Sequence, residues 1–460
     1  MKGKTKKEIS CLSRREFIKL VGTGTAGLAI AGLNVSCQDN HTPEKSIPTD
    51  RMTYRTNPKS GDKLSLLGYG MMRLPLVHRW RGESLPDTND LDQEAINHLV
   101  DYAIAHGVNL FDTAPAYGKG FSERATGEAL ARHPRDKYFI STKMSNQRLR
   151  DRDSSLRLFH NSLQNLKVDY LDYYLAHNVG TNAAFKERFL ANGVLDFLFQ
   201  EKAAGRIRHL GFSFHGDGEF FDWIVKEYPW DFALIQLNYL DWGNLMSFTN
   251  INAQRQYDLL SEQEIAVWIM EPLLGGSLAI PHFKARELMR QANPSVSPAS
   301  WAFRFAGSFS NVNVVLSGMT FLDHLQDNIR TFSPLIPLNK TERAMLLGGV
   351  MEIALEYRQI VCTKCQYCMP CPYGIDIPGI FDHYNRCLNE GNYPDNSQSD
   401  DYKRARRAFL VSMDRNIAPL RQADRCINCN LCRPNCPQRI NIPSEMRRLS
   451  RLINEIRKEV

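Results

Sequence analysis

Eight of the eleven cysteines lie in two short runs in the last hundred residues of the chain. The later run contains Cys426, Cys429, Cys432 and Cys436, and Pro437 follows its last cysteine. In this spacing three close thiolates hold one 4Fe–4S cluster, and the fourth, next to the proline, ligates a second cluster. The later run therefore predicts another cysteine run in the same chain.

The predicted partner run contains Cys362, Cys365, Cys368 and Cys371, with a final gap of two residues rather than three. Its Cys-Pro ending is retained, so the same assignment holds. We assign one 4Fe–4S cluster to Cys362, Cys365, Cys368 and Cys436, and the other to Cys426, Cys429, Cys432 and Cys371. Zinc ribbons and disulfides are the alternatives, but zinc sites use two ligand pairs separated by a long gap.

A second set of reactive side chains, Asp112, Tyr117, Lys143 and His177, lies near the ends of three successive β-rich runs. Reducing a carbonyl requires a hydride on carbon and a proton on oxygen. A tyrosine of ordinary pKa, about 10, exchanges protons poorly near neutral pH, and a neighbouring ammonium group lowers that pKa. We predict that Lys143 lowers the pKa of Tyr117, that Asp112 orients Lys143, and that His177 orients the carbonyl.

Each of these four residues also has a structural explanation when it is taken alone. Asp112 could cap a helix, Tyr117 could be a loop aromatic, and Lys143 could form an ion pair at the barrel mouth. His177 could be a satisfied polar residue. Four such residues at successive strand ends favour a shared catalytic site.

The elements that must position these residues form a regular alternation. Amphipathic stretches such as 92–106, 123–133 and 155–166 separate β-rich runs. The predicted strands are 67–72, 108–112, 138–143, 170–177, 207–214, 233–239, 266–273 and 312–318. Eight strand–helix alternations predict an α/β fold, a (β/α)8 TIM barrel, in which chemistry occurs at the carboxyl ends of the strands.

The segments 111–118, 141–143 and 170–178 resemble the aldo-keto reductases, whose Asp, Tyr, Lys and His tetrad falls on Asp112, Tyr117, Lys143 and His177. The resemblance covers roughly residues 60–335. With the cysteine runs it extends to the bacterial aldo/keto reductase branch that carries a C-terminal 4Fe–4S dicluster ferredoxin domain. Thr363, Tyr367, Pro370 and the segment 375–378 share that branch's pattern.

The same resemblance implies NAD(P)(H) as a further cofactor. The implied contacts are Ser213, Gln236, Ser317, Gly318, Met319, His324 and Asn328. Three positions depart from the family pattern. Phe214 replaces the Asn that binds the nicotinamide carboxamide, and Met270 replaces the Tyr that stacks on the nicotinamide ring in many members. His324 replaces the Arg that often binds the 2′-phosphate. Because a neutral imidazole holds phosphate more weakly than a guanidinium group, nicotinamide binding is left open.

Four segments follow from these patterns. Residues 1–36 form a signal segment, 37–59 a polar tether, 60–338 the barrel, and 339–460 a mostly α-helical two-cluster domain resembling helical ferredoxin domains of reductases. Within the last segment we predict helices over 341–359, 380–389 and 402–416, and a polar loop over 392–399.

The N-terminal segment contains paired arginines, Arg14 and Arg15, before a short apolar run over 20–33. A basic start before a short apolar run is typical of a secretory signal, and it resembles a twin-arginine (Tat) signal. This route exports folded proteins, so clusters inserted beforehand survive the passage. Cys37 lies in a loose lipoprotein-like context. We therefore expect a periplasmic protein or one anchored on the outer side of the inner membrane, and a lipid anchor at Cys37 remains open.

The charge balance argues against a nucleic-acid partner. The net charge is +7, but residues 1–36 contain seven Lys or Arg and two acidic residues, which leaves +2 for the rest of the chain. Two functions remain. One is an exported oxidoreductase that interconverts a small carbonyl and an alcohol while its clusters exchange electrons with a redox protein or a membrane electron carrier. The other is an electron-transfer protein whose barrel serves as a docking or ligand-binding module.

Overall fold

The computed structural model describes residues 47–77, 90–147, 151–216, 218–244, 252–395 and 397–458. The predicted signal segment and Cys37 lie outside these residues. From Ile47 onward the described chain forms one compact unit. Within the described ranges, no helix is both long and apolar enough to cross a membrane.

Eight parallel strands close into a barrel, as the sequence predicts. They are β3 (Leu67–Gly70), β4 (Leu110–Asp112), β5 (Phe139–Met144), β6 (Leu171–Val179), β7 (Ile207–Phe214), β8 (Phe232–Gln236), β9 (Ala266–Met270) and β10 (Val312–Ser317). Each strand pairs with the next, and β10 returns to β3. The predicted (β/α)8 fold is confirmed.

An antiparallel hairpin, β1 (Tyr54–Thr56) and β2 (Lys63–Ser65), precedes the barrel. Its first strand lies inside the segment that the sequence assigned to a polar tether. Met52 is also buried there. The folded region therefore begins before residue 60, because this strand finds a pairing partner that its polar composition does not reveal.

The barrel strands are buried on both faces, since side chains alternate between the interior of the barrel and the surrounding helices. The interior contains Tyr173, Phe232, Leu234 and Trp268 among other apolar side chains. The layer between strands and helices is larger and continuous. This double burial holds the carboxyl ends of the strands, and the polar residues on them, in fixed positions.

Helices cover the outside of the barrel. Those described are Gln93–Ala105, Ser122–Leu130, Arg152–Leu166, Asn182–Phe185, Val194–Ala203, Gly218–Glu227, Ala253–Glu262, Phe283–Ala292, Pro298–Gly307 and Leu322–Phe332. Asp92 and Asp151 begin two of them by accepting hydrogen bonds from the backbone N–H groups of Ala95 and Ser154. Such caps satisfy donors that the first turn leaves unpaired.

The C-terminal region is helical, as predicted, with Ile377–Asn389, Tyr402–Asn416 and Ile442–Lys458 around a second apolar core. The single helix predicted over 341–359 is divided instead. It consists of Lys340–Met345, a π-helical turn at Leu346–Val350, and Met351–Glu356. The turn contains Gly348 and Gly349, which favour a local departure from α-helical geometry.

Candidate active site and cluster-binding site

The strand register brings three of the four predicted catalytic residues together. Asp112 pairs with Ser141 across β4 and β5, and Lys143 pairs with Leu175 across β5 and β6. Because side chains alternate along a strand, Lys143 lies on the same face as Ser141, and His177 lies on the same face as Leu175. Asp112, Lys143 and His177 therefore share one face near the barrel mouth.

Lys143 is fully buried and satisfied by its neighbours. Its Nζ donates to Asp112 Oδ2 at 2.6 Å and to the carbonyl oxygen of Thr113 at 2.7 Å. Ser141 Oγ donates to Asp112 Oδ1 at 2.8 Å. Burial lowers the pKa of Lys143, and Asp112 opposes that shift. The carboxylate thus holds the ammonium in place, as predicted.

Tyr117 begins a short 3-10 helix, Tyr117–Gly120, just after β4. Lys143 Nζ lies 4.8 Å from the centroid of the Tyr117 ring. The pKa of Tyr117 nevertheless lies well above its ordinary value, because burial is the largest influence and Tyr367 and Asp112 act in the same direction. The predicted lowering of this pKa is therefore wrong. The phenol stays protonated at neutral pH, which suits a proton donor.

His177 is buried beside Tyr117, with ring centroids 6.1 Å apart in an edge-on arrangement. Its pKa lies well below the ordinary value, owing first to burial and then to Lys143 and Arg188. Its Nδ1 lies 2.6 Å from Ser145 Oγ. A neutral imidazole fixed on one nitrogen leaves Nε2 for the substrate oxygen.

Arg188 is a positioning residue that the sequence reasoning missed. It lies in a π-helical turn, Lys186–Leu190, and its guanidinium donates to the carbonyl oxygens of His177 at 2.7 Å and Asn178 at 3.0 Å. Burial lowers the pKa of Arg188 to about 10. No sequence motif marks this arginine, because its role depends on where the helix after β6 packs.

Both cysteine runs have the same backbone pattern. In the first, Lys364 and Gln366 adopt positive φ values of 56° and 65°. In the second, the equivalent Asn428 and Asn430 adopt 63° and 62°. Left-handed residues at these two points curl the chain so that three cysteines face inward, and asparagine tolerates that conformation better than most residues.

The structure brings the cysteines together in two groups of four. Burial raises the pKa of Cys432 to about 11, a backbone hydrogen bond opposes that shift, and the thiols of Cys426, Cys429 and Cys371 add to it. These four thiols also line a cavity of about 220 Å³. The pKa of Cys368 is raised by burial and then by Cys362, Cys365 and Cys436. Each group thus contains the first three cysteines of one run and the last cysteine of the other, which is the crossed arrangement expected for two clusters.

Other features of the two sites fit iron–sulfur ligation. All nine described cysteines are free thiols. Backbone N–H groups of Ile440, Gln438 and Arg439 point toward the sulfur of Cys436, as is common around cluster ligands. Free thiols and N–H groups directed at a ligand sulfur are both features of a site ligated by cysteine thiolates.

Tyr117 and the first cysteine run face the same cleft. Its volume is about 1820 Å³, and its lining includes Tyr117 and Ser145 from the barrel and Cys365, Tyr367 and Cys436 from the C-terminal region. The cleft is larger than a usual small-molecule pocket of about 300–1000 Å³. Glu271, immediately after β9, is another residue that the sequence reasoning missed. It contributes with Cys365 to the electrostatic environment of Tyr117.

The residues expected to contact nicotinamide are engaged within the protein. Asn178 donates its backbone N–H to Ser213 Oγ at 2.8 Å, and Asn328 Nδ2 donates to Ser317 Oγ at 2.9 Å. Gln236 is bonded to Gln438 and Asp241.

The remaining expected contacts are placed as follows. Gly318 lies under the side chain of Arg73. The carbonyl oxygen of Met319, a buried residue, accepts from Tyr69. His324 is exposed at the surface.

The two departures on β7 and β9 also fit nicotinamide poorly. Phe214 is buried among Phe220 and Phe221, with ring centroids 6.3 and 4.7 Å away. Met270 packs against the apolar interior of the barrel. Neither side chain offers the contacts that the family pattern assigns to its position.

The fold and tetrad define an oxidoreductase barrel joined to an iron–sulfur domain, and sequence comparison agrees. Residues 66–346 match the aldo/keto reductase family, and residues 361–442 match a 4Fe-4S dicluster domain. The chain therefore belongs to the aldo/keto reductase family and carries a 4Fe–4S dicluster domain.

Two curated relatives from Escherichia coli K12 match part of the barrel. Protein tas is 31% identical over 193 residues, which is 35% of this chain and 52% of that protein. An NADH-specific methylglyoxal reductase is 30% identical over 165 residues, 32% of this chain and 48% of that protein. These matches span about half the length of the relatives.

Solved structures share the barrel fold. Aldo-keto reductase AKR11C1 from Bacillus halodurans, in its holo form, is 20% identical with a TM-score of 0.51, covering 64% of this chain and 95% of that one. An aldo/keto reductase from Klebsiella pneumoniae in complex with NADP and acetate is 19% identical with a TM-score of 0.50, covering 65% and 96%. About a third of this chain lies outside each match.

Proposed function

We propose that this chain is an exported iron–sulfur oxidoreductase whose barrel interconverts a carbonyl and an alcohol while two 4Fe–4S clusters relay electrons. One observation carries the proposal. Tyr117, the expected proton donor, lies in the same cleft as Cys365 and Tyr367 from the first cysteine run. Both residues contribute to the electrostatic environment of its phenol. The proposed proton donor, Tyr117, and the cysteine run that would supply electrons therefore line the same cleft.

The barrel residues divide the work in the reducing direction. The carbonyl oxygen of the substrate lies between Tyr117 and His177, where His177 donates a hydrogen bond and Tyr117 gives a proton. The buried ammonium of Lys143, held by Asp112, stabilises the negative charge that develops on the Tyr117 oxygen. The hydride that the carbon requires is equivalent to two electrons and one proton. The clusters, when bound to their cysteines, would supply one electron each, water would supply the proton on carbon, and Tyr117 would supply the proton on oxygen, which leaves a tyrosinate and a hydroxide ion.

Electrons enter from a partner through the second cluster. Cys429 is exposed at the surface. Ile427 and Leu431, which lie between the ligand cysteines, are 59% and 61% exposed. Apolar side chains around an exposed redox centre suit a transient encounter with a redox protein or a membrane electron carrier.

The experiment is a screen of carbonyls and alcohols with artificial one-electron carriers, using anaerobically purified holoprotein. We expect turnover that Tyr117→Phe reduces by about 10²- to 10⁴-fold, the usual contribution of a general acid. Tyr170→Phe is the matched control. Tyr170 precedes β6 at the opposite end of the barrel, where Arg135 and Arg208 stack on its ring. Unchanged turnover in Tyr117→Phe rejects the acid–base role.

Export is the second part of the proposal, and it rests on Arg14 and Arg15. Replacing both with lysine keeps the charge but removes the paired guanidinium groups that a Tat-type signal presents. We expect the variant to accumulate in the cytoplasm, whereas wild type reaches the periplasm or its membrane face. Cell fractionation followed by immunoblotting measures this. Equal export of both proteins contradicts a twin-arginine route.

A further inference from the structure

Two glutamines, one from the barrel and one from the cluster domain, bond to each other at the barrel mouth. Gln438 Nε2 donates to Gln236 Oε1 at 2.9 Å, and Gln236 Nε2 lies 3.3 Å from Gln438 Oε1. Gln236 Nε2 also donates to Asp241 Oδ2 at 2.8 Å. Both glutamines are buried, at 1% and 3% exposure. The amide of Gln236 is thus satisfied by another amide of the same chain.

This pairing reproduces the contact that family resemblance assigns to the nicotinamide carboxamide at Gln236. A carboxamide offers one acceptor and two N–H donors, and the side chain of Gln438 offers the same set. A bound nicotinamide must therefore displace Gln438, which lies two residues after the cluster cysteine Cys436. Displacement leaves buried amide groups without partners, which is unfavourable.

The segment between Cys362 and Cys365 is seated on the same face. A Cβ atom on Gly275 would lie 2.4 Å from Thr363 Cα, so the two backbones touch directly. Arg73 donates to the carbonyl oxygen of Thr363. The Thr363 side chain bonds Glu271. Two loops of the barrel mouth, after β3 and after β9, thus hold the first cysteine run, and Thr363 is 2% exposed.

We infer that the cluster domain occupies the nicotinamide position of this barrel, so that the folded holoprotein binds neither NADH nor NADPH. Gln438 is then the residue that decides cofactor choice, and the contacts of Thr363 hold the cluster domain against the barrel mouth. The barrel then receives electrons only through the clusters. This last statement extends the proposed function and rests on it. The exclusion of nicotinamide itself rests on the hydrogen bonds between Gln236 and Gln438 and on the packing of Thr363 against Gly275.

The first test titrates anaerobic, full-length holoprotein with NADH and with NADPH. Calorimetry and tryptophan fluorescence report binding, and visible absorbance reports cluster reduction. We expect no saturable binding and no bleaching by either nucleotide, whereas dithionite bleaches the clusters. Saturable binding within about 1 µM to 1 mM, the usual range for enzyme substrates, overturns the inference.

The second test is a double-mutant cycle on Gln236→Ala and Gln438→Ala, read as the melting temperature and iron retention of the holoprotein. Partners in contact give non-additive losses, so we expect the double variant to lose no more than the more damaged single variant. Gln236→Ala combined with Gln359→Ala is the control. Gln359 bonds Asn389 and shares no partner with Gln236, so additive losses are expected.

Additive losses in the Gln236 and Gln438 cycle overturn the amide pairing. Neither test uses turnover. If no substrate is reduced with any electron donor, the proposed function fails while nucleotide binding and the cycle still decide the inference. If nucleotide binds while Tyr117→Phe abolishes turnover, the inference fails and the proposed chemistry stands.

Discussion

At the scale of single residues, burial decides the protonation of the tetrad more than charge does. Lys143 lies near the Tyr117 ring, yet the pKa of Tyr117 is raised because burial disfavours the phenolate. The pKa of His177 is lowered for the same reason, since its imidazolium form is disfavoured. Both groups are therefore neutral near pH 7, one as a proton donor and the other as a hydrogen-bonding partner.

These two shifts predict a broad pH plateau for carbonyl reduction. Tyr117 remains protonated up to a pH above about 10, and His177 remains neutral down to a pH well below about 6.5, the ordinary values for these groups. We expect kcat, measured with electrons supplied at fixed potential, to be constant between those limits. A titration centred near pH 6.5, or a fall well below pH 10, contradicts this assignment.

At the scale of elements, the loop after β9 joins the barrel to the cluster domain through glycine. Gly275 has a φ of +66° and touches the backbone of Thr363. Its neighbour Gly276 has a φ of +96° and no other group within 4 Å of the position of a Cβ atom. Both glycines have a left-handed backbone conformation, but only Gly275 contacts Thr363. Substitutions at the two positions therefore separate the cost of backbone strain from the cost of losing the contact with the cluster domain.

We predict that Gly275→Ala destabilises the holoprotein more than Gly276→Ala does. Both variants bear left-handed strain of about 1–2 kcal/mol, but only Gly275→Ala also overpacks against Thr363, which adds about 1–3 kcal/mol. Thermal unfolding under anaerobic conditions measures the difference. Equal destabilisation of the two variants means that the Thr363 segment is not seated on this loop in solution.

At the scale of the whole molecule, two cores are joined across one cleft. The barrel core and the smaller C-terminal core are separate apolar clusters. The cysteines of each run reach across to the other run, because Cys371 neighbours the thiol group of Cys432 and Cys436 neighbours that of Cys368. We expect crossed ligation of two clusters to couple the folding of the C-terminal domain to cluster insertion.

Crossed ligation makes a prediction about iron content. Wild type should contain about eight irons per chain, and Cys371→Ser about four, with loss of the cluster on Cys426, Cys429 and Cys432. Cys387→Ala, which removes a buried thiol in the C-terminal core, should keep both clusters. Iron analysis and electron paramagnetic resonance after dithionite reduction measure this. A full iron complement in Cys371→Ser refutes the assignment.

The repeating strand–helix order was predictable from the sequence alone, as were a tetrad and two groups of cysteines whose members lie close together in the structure. Periodic burial and the spacing of ligands depend on neighbouring positions in the chain, so they can be predicted from the sequence. The break of the predicted helix over 341–359 at Gly348 and Gly349, and the early strand Tyr54–Thr56, escaped prediction. The turn was overlooked because two adjacent glycines change the helical geometry without changing the apolar spacing, and the strand because three polar residues become a strand only by pairing with Lys63–Ser65.

The pKa of Tyr117, the role of Arg188 and the pairing of Gln236 with Gln438 depend on contacts that exist only in the folded protein. Burial is a property of the folded molecule, and it outweighed the charge argument that sequence supports. The two glutamines are 202 positions apart. Their contact arises because the cluster domain folds back over the carboxyl ends of the barrel strands.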